Sequence, residues 1–139
     1  MNEQKKIEFE ADRILRLFSN SGAKIVQPAI LQQADTLLDL YGEDIRARAY
    51  VTSDPLNGEM MLRPDFTVPI VKKHMNDLMG DETARYAYCG KVFRRQERNS
   101  DRASEYLQVG YEIFDRADVV KSDTDAFCVI KEALGDLPL

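Results

Sequence analysis

Residues 86–115 read YAYCGKVFRRQERNSDRASEYLQVGYEIFD, and this stretch decides the fold. Residues 86–94 and 106–114 are rich in the aromatic and β-branched types that favour strands. Residues 95–104 are charged or small, and this segment is longer than a tight two-residue turn. The stretch therefore predicts two antiparallel strands joined by a long polar loop, and ordered loops of that length are often functional.

The loop and its flanks form a basic island in an acidic protein. Between positions 85 and 104, six basic residues face two acidic ones, whereas the 139-residue chain has a formal net charge of −5. The basic residues are Arg85, Lys91, Arg94, Arg95, Arg98 and Arg102. A local positive site in an acidic chain favours one anionic ligand over general DNA or RNA binding. A merely solvated loop is the alternative explanation.

Composition predicts a single globular domain spanning residues 1–139, because 44% of the residues are hydrophobic and 31% are charged. No apolar run reaches the roughly 18–20 residues of a membrane helix, and the N-terminus lacks the apolar core of a signal peptide. We therefore expect a cytoplasmic protein without membrane contact. Cys89 and Cys128 are expected to be reduced, mostly buried thiols, and the sequence predicts neither a metal site nor a cofactor.

Working outward from the hairpin, the hydrophobic periodicity predicts helices and further strands. The predicted helices cover about residues 3–19 and 34–40, a third segment capped by Asp65 or Thr67 that runs to about residue 79, and a last segment capped by Ser122 or Asp123 and stopped by Gly135 and Pro138. The predicted strands are 24–27, 46–52 and 59–63, with residues 54–58 as a turn. This order implies an α+β domain with a mainly antiparallel sheet flanked by helices.

The second strand of the hairpin has two unlike faces. One face is apolar and should pack on helices: Leu107, Val109, Tyr111 and Ile113. The other face mixes aromatic, amide and acidic side chains: Tyr106, Gln108, Gly110, Glu112 and Phe114. Gly110 leaves room for a close approach, and Glu112 can receive an ammonium group. With Arg94 at the end of the neighbouring strand, this face predicts a site for a zwitterionic amino acid beside a phosphorylated compound. A solvated sheet face is the alternative.

Two further positions carry polar groups of interest. Asp65 and Thr67 lie at a predicted strand-to-helix junction, where backbone N–H groups cluster, although simple helix capping explains them equally well. His74 lies in the middle of a predicted helix, and we expect a surface or half-buried histidine there.

The motifs resemble a known family. VFRRQERNSDRASEYLQVGYEIF resembles motif 2 of class II aminoacyl-tRNA synthetases of the histidyl type. The preceding segment resembles theirs as well, with LRPDFT where histidyl-tRNA synthetases carry Leu-Arg-Pro-Glu-Gly-Thr. The resemblance covers about residues 7–114. It implies the N-terminal half of a class II catalytic domain, with the dimer-forming motif 1 around Pro28 and no motif 3 before Leu139.

The resemblance also implies roles for single residues. It places the ammonium group of histidine near Asp65 and Glu112. The four histidine-binding positions are Asp65, Thr67, Gln108 and Glu112. The three phosphate or nucleotide positions are Arg94, Arg102 in the loop, and Tyr106, which stands where an aromatic ring stacks on adenine.

Two groups of proteins with this fold are candidates for the closer match to the chain. Histidyl-tRNA synthetases activate histidine with ATP, whereas regulatory subunits of ATP phosphoribosyltransferase bind the short catalytic subunit, sense histidine and do not charge tRNA. Phe66 replaces the small glycine of the synthetase signature and is expected to alter or block substrate access. Gln96 stands where the synthetase motif carries an acid, with Glu97 one place later. These departures favour the regulatory subunit.

The favoured group implies no catalytic residues. It implies histidine as a ligand, the short catalytic subunit as a partner, a homodimer or hetero-oligomer, and no binding of tRNA or DNA. Two alternatives stay open: a synthetase-type enzyme or core fragment of one, and a non-catalytic domain that uses the old fold as a dimerisation surface.

Overall fold

The computed structural model describes residues 2–78, 82–135 and 137. In chain order it contains α1 (Glu3–Asn20), β1 (Lys24–Ile25), β2 (Leu31–Gln33), α2 (Ala34–Leu38), α3 (Glu43–Arg48), β3 (Val51–Asp54), β4 (Gly58–Leu62), α4 (Thr67–Leu78), β5 (Ala84–Phe93), β6 (Glu105–Phe114) and α5 (Val119–Gly135). Two three-stranded sheets have the orders β1-β5-β6 and β2-β4-β3. β1 runs parallel to β5, whereas β4 pairs antiparallel with both its neighbours. The predicted α+β fold with mainly antiparallel strands is confirmed.

The chain divides into two compact units. The first unit comprises Met1–Gln27, Lys72–Cys89 and Val109–Leu139, and the second comprises Pro28–Val71 and Gly90–Gln108. The boundaries fall inside α4, β5 and β6, so these elements contribute residues to both units. The single domain predicted for residues 1–139 stays a prediction.

The first unit is built around the apolar face of α1. Asn2 caps this helix by accepting a hydrogen bond from the backbone N–H of Lys5 at 2.9 Å, and Gly22 ends it with φ 92°. The buried cluster consists of Phe18, Ala23, Ala87 and Ala133, with Val109 and Tyr111 packed against it. The predicted packing of Val109 and Tyr111 against the helices is therefore confirmed, although both side chains are only partly buried.

The second unit packs α2 against the β3–β4 hairpin. Its buried cluster consists of Ala34, Leu37, Tyr41 and Met61. The predicted turn at residues 54–58 is confirmed, since Asp54 Oδ1 accepts the backbone N–H groups of Leu56 and Asn57 at 2.8 Å each. Gly58 has φ 78°, a conformation that glycine adopts without steric cost.

Three element predictions are wrong in detail. Residues 46–52 are not a continuous strand, because Glu43–Arg48 forms α3 and β3 begins only at Val51. The short strand β2, which pairs with β4, was not predicted. The last helix begins at Val119 and not after Ser122, because Asp118 accepts the backbone N–H of Lys121 at 2.9 Å and so caps the helix earlier. The predicted helix end at Met79 and Gly80, and the stop at Pro138, lie outside the described residues.

Two side chains lie in environments opposite to those expected. His74 is only 2% exposed, and its Nδ1 lies 3.1 Å from the hydroxyl of Tyr86 while its ring stacks on Phe114 with centroids 4.2 Å apart. The expectation of a surface or half-buried histidine is therefore wrong. Cys128 is exposed, against the expected burial, whereas Cys89 is half-buried and this burial raises the pKa of its thiol.

Candidate ligand-binding site

Glu112 lies on a strand face of the first unit that is filled by the chain's own side chains. Tyr88 is 4% exposed, and its ring covers Gly110 so closely that a Cβ atom at position 110 would lie 2.1 Å from Cζ of Tyr88. The hydroxyl of Tyr88 donates a hydrogen bond to Oε1 of Glu112 at 3.3 Å. The space that the sequence assigned to a ligand over Gly110 is thus occupied by Tyr88, which is a correction.

These contacts also fix the direction of the hairpin. Tyr88 of β5 covers Gly110 of β6, and two residues earlier on β5 the ring of Tyr86 lies 5.6 Å from that of Phe114, four residues later on β6. The two hydrogen-bonded strands therefore run antiparallel, as predicted.

Asp65 and Gln108 belong to the second unit, and their side chains have different environments. Asp65 Oδ1 accepts a hydrogen bond from the hydroxyl of the buried Tyr41 at 3.1 Å. Burial, with the neighbouring carboxylate of Asp65 as the next cause, raises the pKa of Tyr41, so this phenol stays a hydrogen-bond donor. Oε1 of Gln108 is buried and has no hydrogen-bond partner among the described residues. A buried acceptor without a donor is unusual in a folded protein and marks a position where a ligand donor would be stabilised.

The four predicted histidine-binding residues are therefore divided between the units. Asp65, exposed Thr67 at the start of α4, and Gln108 lie in the second unit, and Glu112 lies in the first. Asp65 and Glu112 make the hydrogen bonds with tyrosine hydroxyls given above. Their common site for histidine stays a prediction.

The three predicted phosphate-binding residues do come together, in a cavity of about 380 Å³ in the second unit. Its lining is Arg48, Arg94, Gln96, Arg102, Ala103 and Tyr106. Arg94 is held in place because its Nε donates to the carbonyl of Pro64 at 2.8 Å, and its guanidinium carbon lies 5.9 Å from the centroid of the Tyr106 ring. Three guanidinium groups around one cavity create a positive potential that suits an anionic ligand.

Arg48 is a member of this cavity that sequence reasoning missed. Its Nη2 pairs with Asp44 one helical turn earlier, while its Nε is buried without a hydrogen-bond partner in the described part of the chain. The signal was present in the sequence, because an acid and an arginine four residues apart are typical of a helix. Interpreting residues 46–52 as a strand concealed it.

The arginine loop is anchored to α3 and is not merely solvated. The backbone N–H of Arg95 donates to the carbonyl of Arg48 at 2.8 Å, and the Arg95 side chain donates to the carbonyl of Ala47 at 2.6 Å. Gln96 Nε2 donates to the carbonyl of Ala103 at 3.2 Å across the loop. A second cavity, of about 470 Å³, shares Arg48, Gln96 and Arg102 and adds acidic residues to the lining: Asp44 and Glu97.

Arg63 is a second arginine whose role the sequence did not reveal. It is 4% exposed, and it donates to the carbonyls of Lys91 at 2.9 Å and Pro28 at 2.5 Å. Its guanidinium carbon lies 4.1 Å from the ring centroid of fully buried Phe66, and burial lowers the pKa of Arg63. Phe66 thus packs beneath an arginine in the core of the unit. The predicted effect of this ring on substrate access stays a prediction.

Two features are absent from the described residues. Within them, no group of three or more His, Cys, Asp and Glu side chains is arranged to hold a metal ion. None of their helices is both long and apolar enough to cross a membrane.

Comparison with known proteins decides the family. The family model described as histidyl-tRNA synthetase matches residues 2–139. The chain belongs to the histidyl-tRNA synthetase family. Among curated members of similar sequence, the ATP phosphoribosyltransferase regulatory subunit of Brucella ovis is 38% identical over 121 residues, which cover 84% of this chain. The match covers 31% of that relative, so the chain spans about a third of its length.

Solved structures of the family share the fold. A protein of Bacillus halodurans described as an ATP phosphoribosyltransferase regulatory subunit/histidyl-tRNA synthetase has a TM-score of 0.79 and 19% identity, covering 97% of this chain and 35% of its own. A histidine–tRNA ligase subunit of Alicyclobacillus acidocaldarius has a TM-score of 0.79 and 25% identity, covering 95% and 38%. The resemblance drawn from the two sequence motifs, including the likeness to regulatory subunits, is therefore confirmed.

Proposed function

We propose that the chain acts in a regulatory subunit of ATP phosphoribosyltransferase, where it binds the short catalytic subunit and senses histidine. The observation that carries this proposal is the 38% identity with relatives of that name over 84% of the chain. Because the chain spans only 31% of such a relative, the partner and the ligand are both part of the proposal. A cytoplasmic location and a homodimer or hetero-oligomer belong to it as well.

The side chains at the predicted histidine positions support ligand binding. Glu112 offers a carboxylate that Tyr88 already holds, and the buried Oε1 of Gln108 offers an acceptor to a ligand donor. The ammonium group and the ring N–H of histidine are donors that either acceptor, taken by itself, can bind. Asp65 and Thr67 complete the proposed set.

The loop supports binding over catalysis. Gln96 occupies the position where the synthetase motif has an acid, and its amide is engaged with the carbonyl of Ala103. An amide carries no charge, so it cannot supply the electrostatic contribution of a carboxylate. The cavity with Arg94, Arg102 and Tyr106 nevertheless keeps a cationic lining, and we assign to it an anionic or nucleotide-like ligand that is bound and not activated.

Regulation then follows from a difference in affinity. If histidine binds one assembly state of the complex more tightly than the other, it shifts the complex toward that state, and typical couplings are about 1–3 kcal/mol. The same coupling requires that the catalytic subunit change the affinity of this chain for histidine.

Co-purification with the short catalytic subunit is the direct test. We expect a stable complex, and we expect added histidine to lower phosphoribosyl transfer by that complex. Glu112→Gln should shift the response to higher histidine concentrations while the complex persists. Glu105→Gln serves as the matched control, because Glu105 is exposed on the same strand and pairs with Lys91. A chain that neither binds the catalytic subunit nor alters its activity refutes the proposal.

A synthetase-type enzyme is the second candidate, because the matching family model is that of histidyl-tRNA synthetase and the arginine cavity is retained. It predicts histidine-dependent exchange of pyrophosphate into ATP. We expect no exchange, and measurable exchange would favour the synthetase. A dimer in light scattering without histidine binding in calorimetry would favour a plain dimerisation domain.

A further inference from the structure

Two cavities of the second unit share Arg48. It lines the arginine cavity of about 380 Å³ with Arg94 and Arg102, and it also lines the cavity of about 470 Å³ that contains Asp44. The carbonyl of Arg48 accepts the backbone N–H of Arg95 at 2.8 Å, which attaches the end of α3 to the arginine loop. The Arg48 side chain therefore lies where a ligand of the arginine cavity can contact it.

The guanidinium group of Arg48 is only partly satisfied by Asp44. Its Nη2 pairs with the Asp44 carboxylate one helical turn earlier, and the two side chains are 25% and 75% exposed. Ion pairs of this kind contribute little to stability, because water screens the two charges. Among the described residues, Nε of Arg48 is buried and has no hydrogen-bond partner. The pairing with Asp44 is therefore weak and leaves one donor unsatisfied.

An anion in the arginine cavity offers Arg48 a better partner than Asp44 does. A phosphate group can accept two parallel N–H bonds from the fork of one guanidinium group, whereas Asp44 receives a bond from Nη2. If the side chain turns toward the anion, Nε can also gain a partner, and an unsatisfied buried donor is costly. Turning from Asp44 to the anion thus exchanges a weak contact for a stronger one.

We propose that Arg48 is a third anion-binding arginine of this cavity and that Asp44 competes with the anion for it. This role rests on the proposed function, because it needs the anionic ligand that is assigned there to the arginine cavity. The competition gives α3 control over the affinity of the cavity. Loss of Arg48 should weaken anion binding, whereas loss of the Asp44 charge should strengthen it.

Calorimetric titration of the 139-residue chain with inorganic pyrophosphate tests the role of Arg48. Arg48→Ala should weaken binding about 3- to 10-fold, the scale of one net hydrogen bond. The substitution keeps the backbone carbonyl that accepts from Arg95, so the loop stays attached. Arg46→Ala is the matched control, because Arg46 is exposed on the same helix and is not among the residues lining either cavity. It should leave the affinity nearly unchanged.

Asp44→Asn tests the competition. It should strengthen pyrophosphate binding about 2- to 5-fold, because Arg48 loses its carboxylate partner and an exposed ion pair has this scale. Glu43→Gln is the matched control, since it removes one negative charge from the adjacent position, where the 95% exposed Glu43 lies 3.9 Å from Arg46. It should leave the affinity nearly unchanged. A gain in affinity cannot arise from damaged folding, so this result is independent of any structural role of Arg48.

A double-mutant cycle separates competition for Arg48 from the general effect of removing a negative charge. If Asp44 acts by competing for Arg48, Asp44→Asn should have no effect on pyrophosphate binding in the Arg48→Ala background. An equal gain in both backgrounds would show that Asp44 only lowers the local potential, and this result would overturn the competition.

The failure of this role and the failure of the proposed ligand are distinguishable. If the wild-type chain does not bind pyrophosphate, the anionic ligand assigned to the cavity fails, and the role of Arg48 fails with it. If the wild type binds but Arg48→Ala behaves like Arg46→Ala, the role of Arg48 is overturned and the anionic ligand stands. Binding of the catalytic subunit is measured separately, by co-purification, and depends on neither result.

Discussion

The strand face of the first unit and the arginine cavity of the second are opposite kinds of candidate site. On the strand face, Tyr88 fills the space over Gly110 and already contacts Glu112. In the cavity, the guanidinium groups surround about 380 Å³ of space. The strand face is packed like a protein core, where even a small added volume affects stability. The arginine cavity resembles a ligand site, where charge affects binding more than volume does.

The difference separates stability from binding. Substitutions on the filled face should change the free energy of unfolding, because tightly packed neighbours relax little. Substitutions of exposed cavity residues should change ligand affinity and leave folding almost untouched. Single substitutions in the two regions test this contrast between stability and binding.

Gly110→Ala should destabilise the chain by about 1–3 kcal/mol, since the new methyl group overlaps the ring of Tyr88 and overpacking of a core has this cost. Denaturant unfolding followed by circular dichroism measures it. Gly135→Ala is the control, because a Cβ there meets nothing within 4 Å. Equal stability of the Gly110 variant and the wild type would show that the face is not rigidly filled.

Glu112→Ala should weaken binding of L-histidine by about 1–3 kcal/mol, the scale of a lost charge-assisted contact. Isothermal titration calorimetry measures the change, with Glu105→Ala on the same strand as the control. Unchanged affinity would mean that Glu112 serves only the packing of the filled face.

Arg102→Ala should weaken binding of inorganic pyrophosphate to the open cavity by about 1 kcal/mol, while the free energy of unfolding changes by less than about 0.5 kcal/mol. Arg98→Ala is the matched control, because Arg98 is exposed in the same loop and is not among the residues lining either cavity. A stability loss as large as that of Gly110→Ala would erase the contrast between the two regions.

Asp125→Asn should give the smallest effect, visible only in acid. Hydrogen bonds from Lys121 and then Arg85 lower the pKa of Asp125 below its ordinary value of 3.8. A lowered pKa in the folded state stabilises the fold above the ordinary value, and this contribution is lost as the pH falls through the folded value. The variant should therefore lose less stability between neutral pH and about pH 3 than the wild type. Thermal melts at the two pH values measure the difference, and equal losses in the variant and the wild type would contradict it.

The sequence predicted most of the fold because the decisive signals are local. The helix with Phe18 on its buried face, the Asp54–Gly58 turn and the long hairpin each depend on periodicity or turn chemistry within a few residues. The errors occur where tertiary contacts prevail. Residues 46–48 alternate like a strand but join a helix whose acid–arginine pairs stabilise it, and β2 exists only through its pairing with β4.

The sequence indicated the candidate residues by their type, but it did not indicate the environments in which their side chains lie. Arg94, Arg102 and Tyr106 line one cavity, and their role in binding a phosphate or nucleotide stays a prediction. Tyr88 and Gly110 are 22 positions apart in sequence, and buried Arg63 contacts carbonyls 28 and 35 positions away, so no local pattern reports these contacts. Gly110 was correctly identified as a place of close approach, but the approaching group is a tyrosine of the chain itself.

The packing around Gly90 makes substitutions at position 90 depend on the residues at positions 63 and 66. A Cβ atom at position 90 would lie 2.5 Å from Nη2 of Arg63 and 2.9 Å from Cζ of Phe66. A larger residue at position 90 is therefore acceptable only after positions 63 and 66 have become smaller. Those two residues in turn lie on a junction that already differs from the synthetase signature at position 66. The three positions are therefore coupled, and replacing Phe66 alone with the glycine of the synthetase signature would leave Arg63 without the ring on which it stacks.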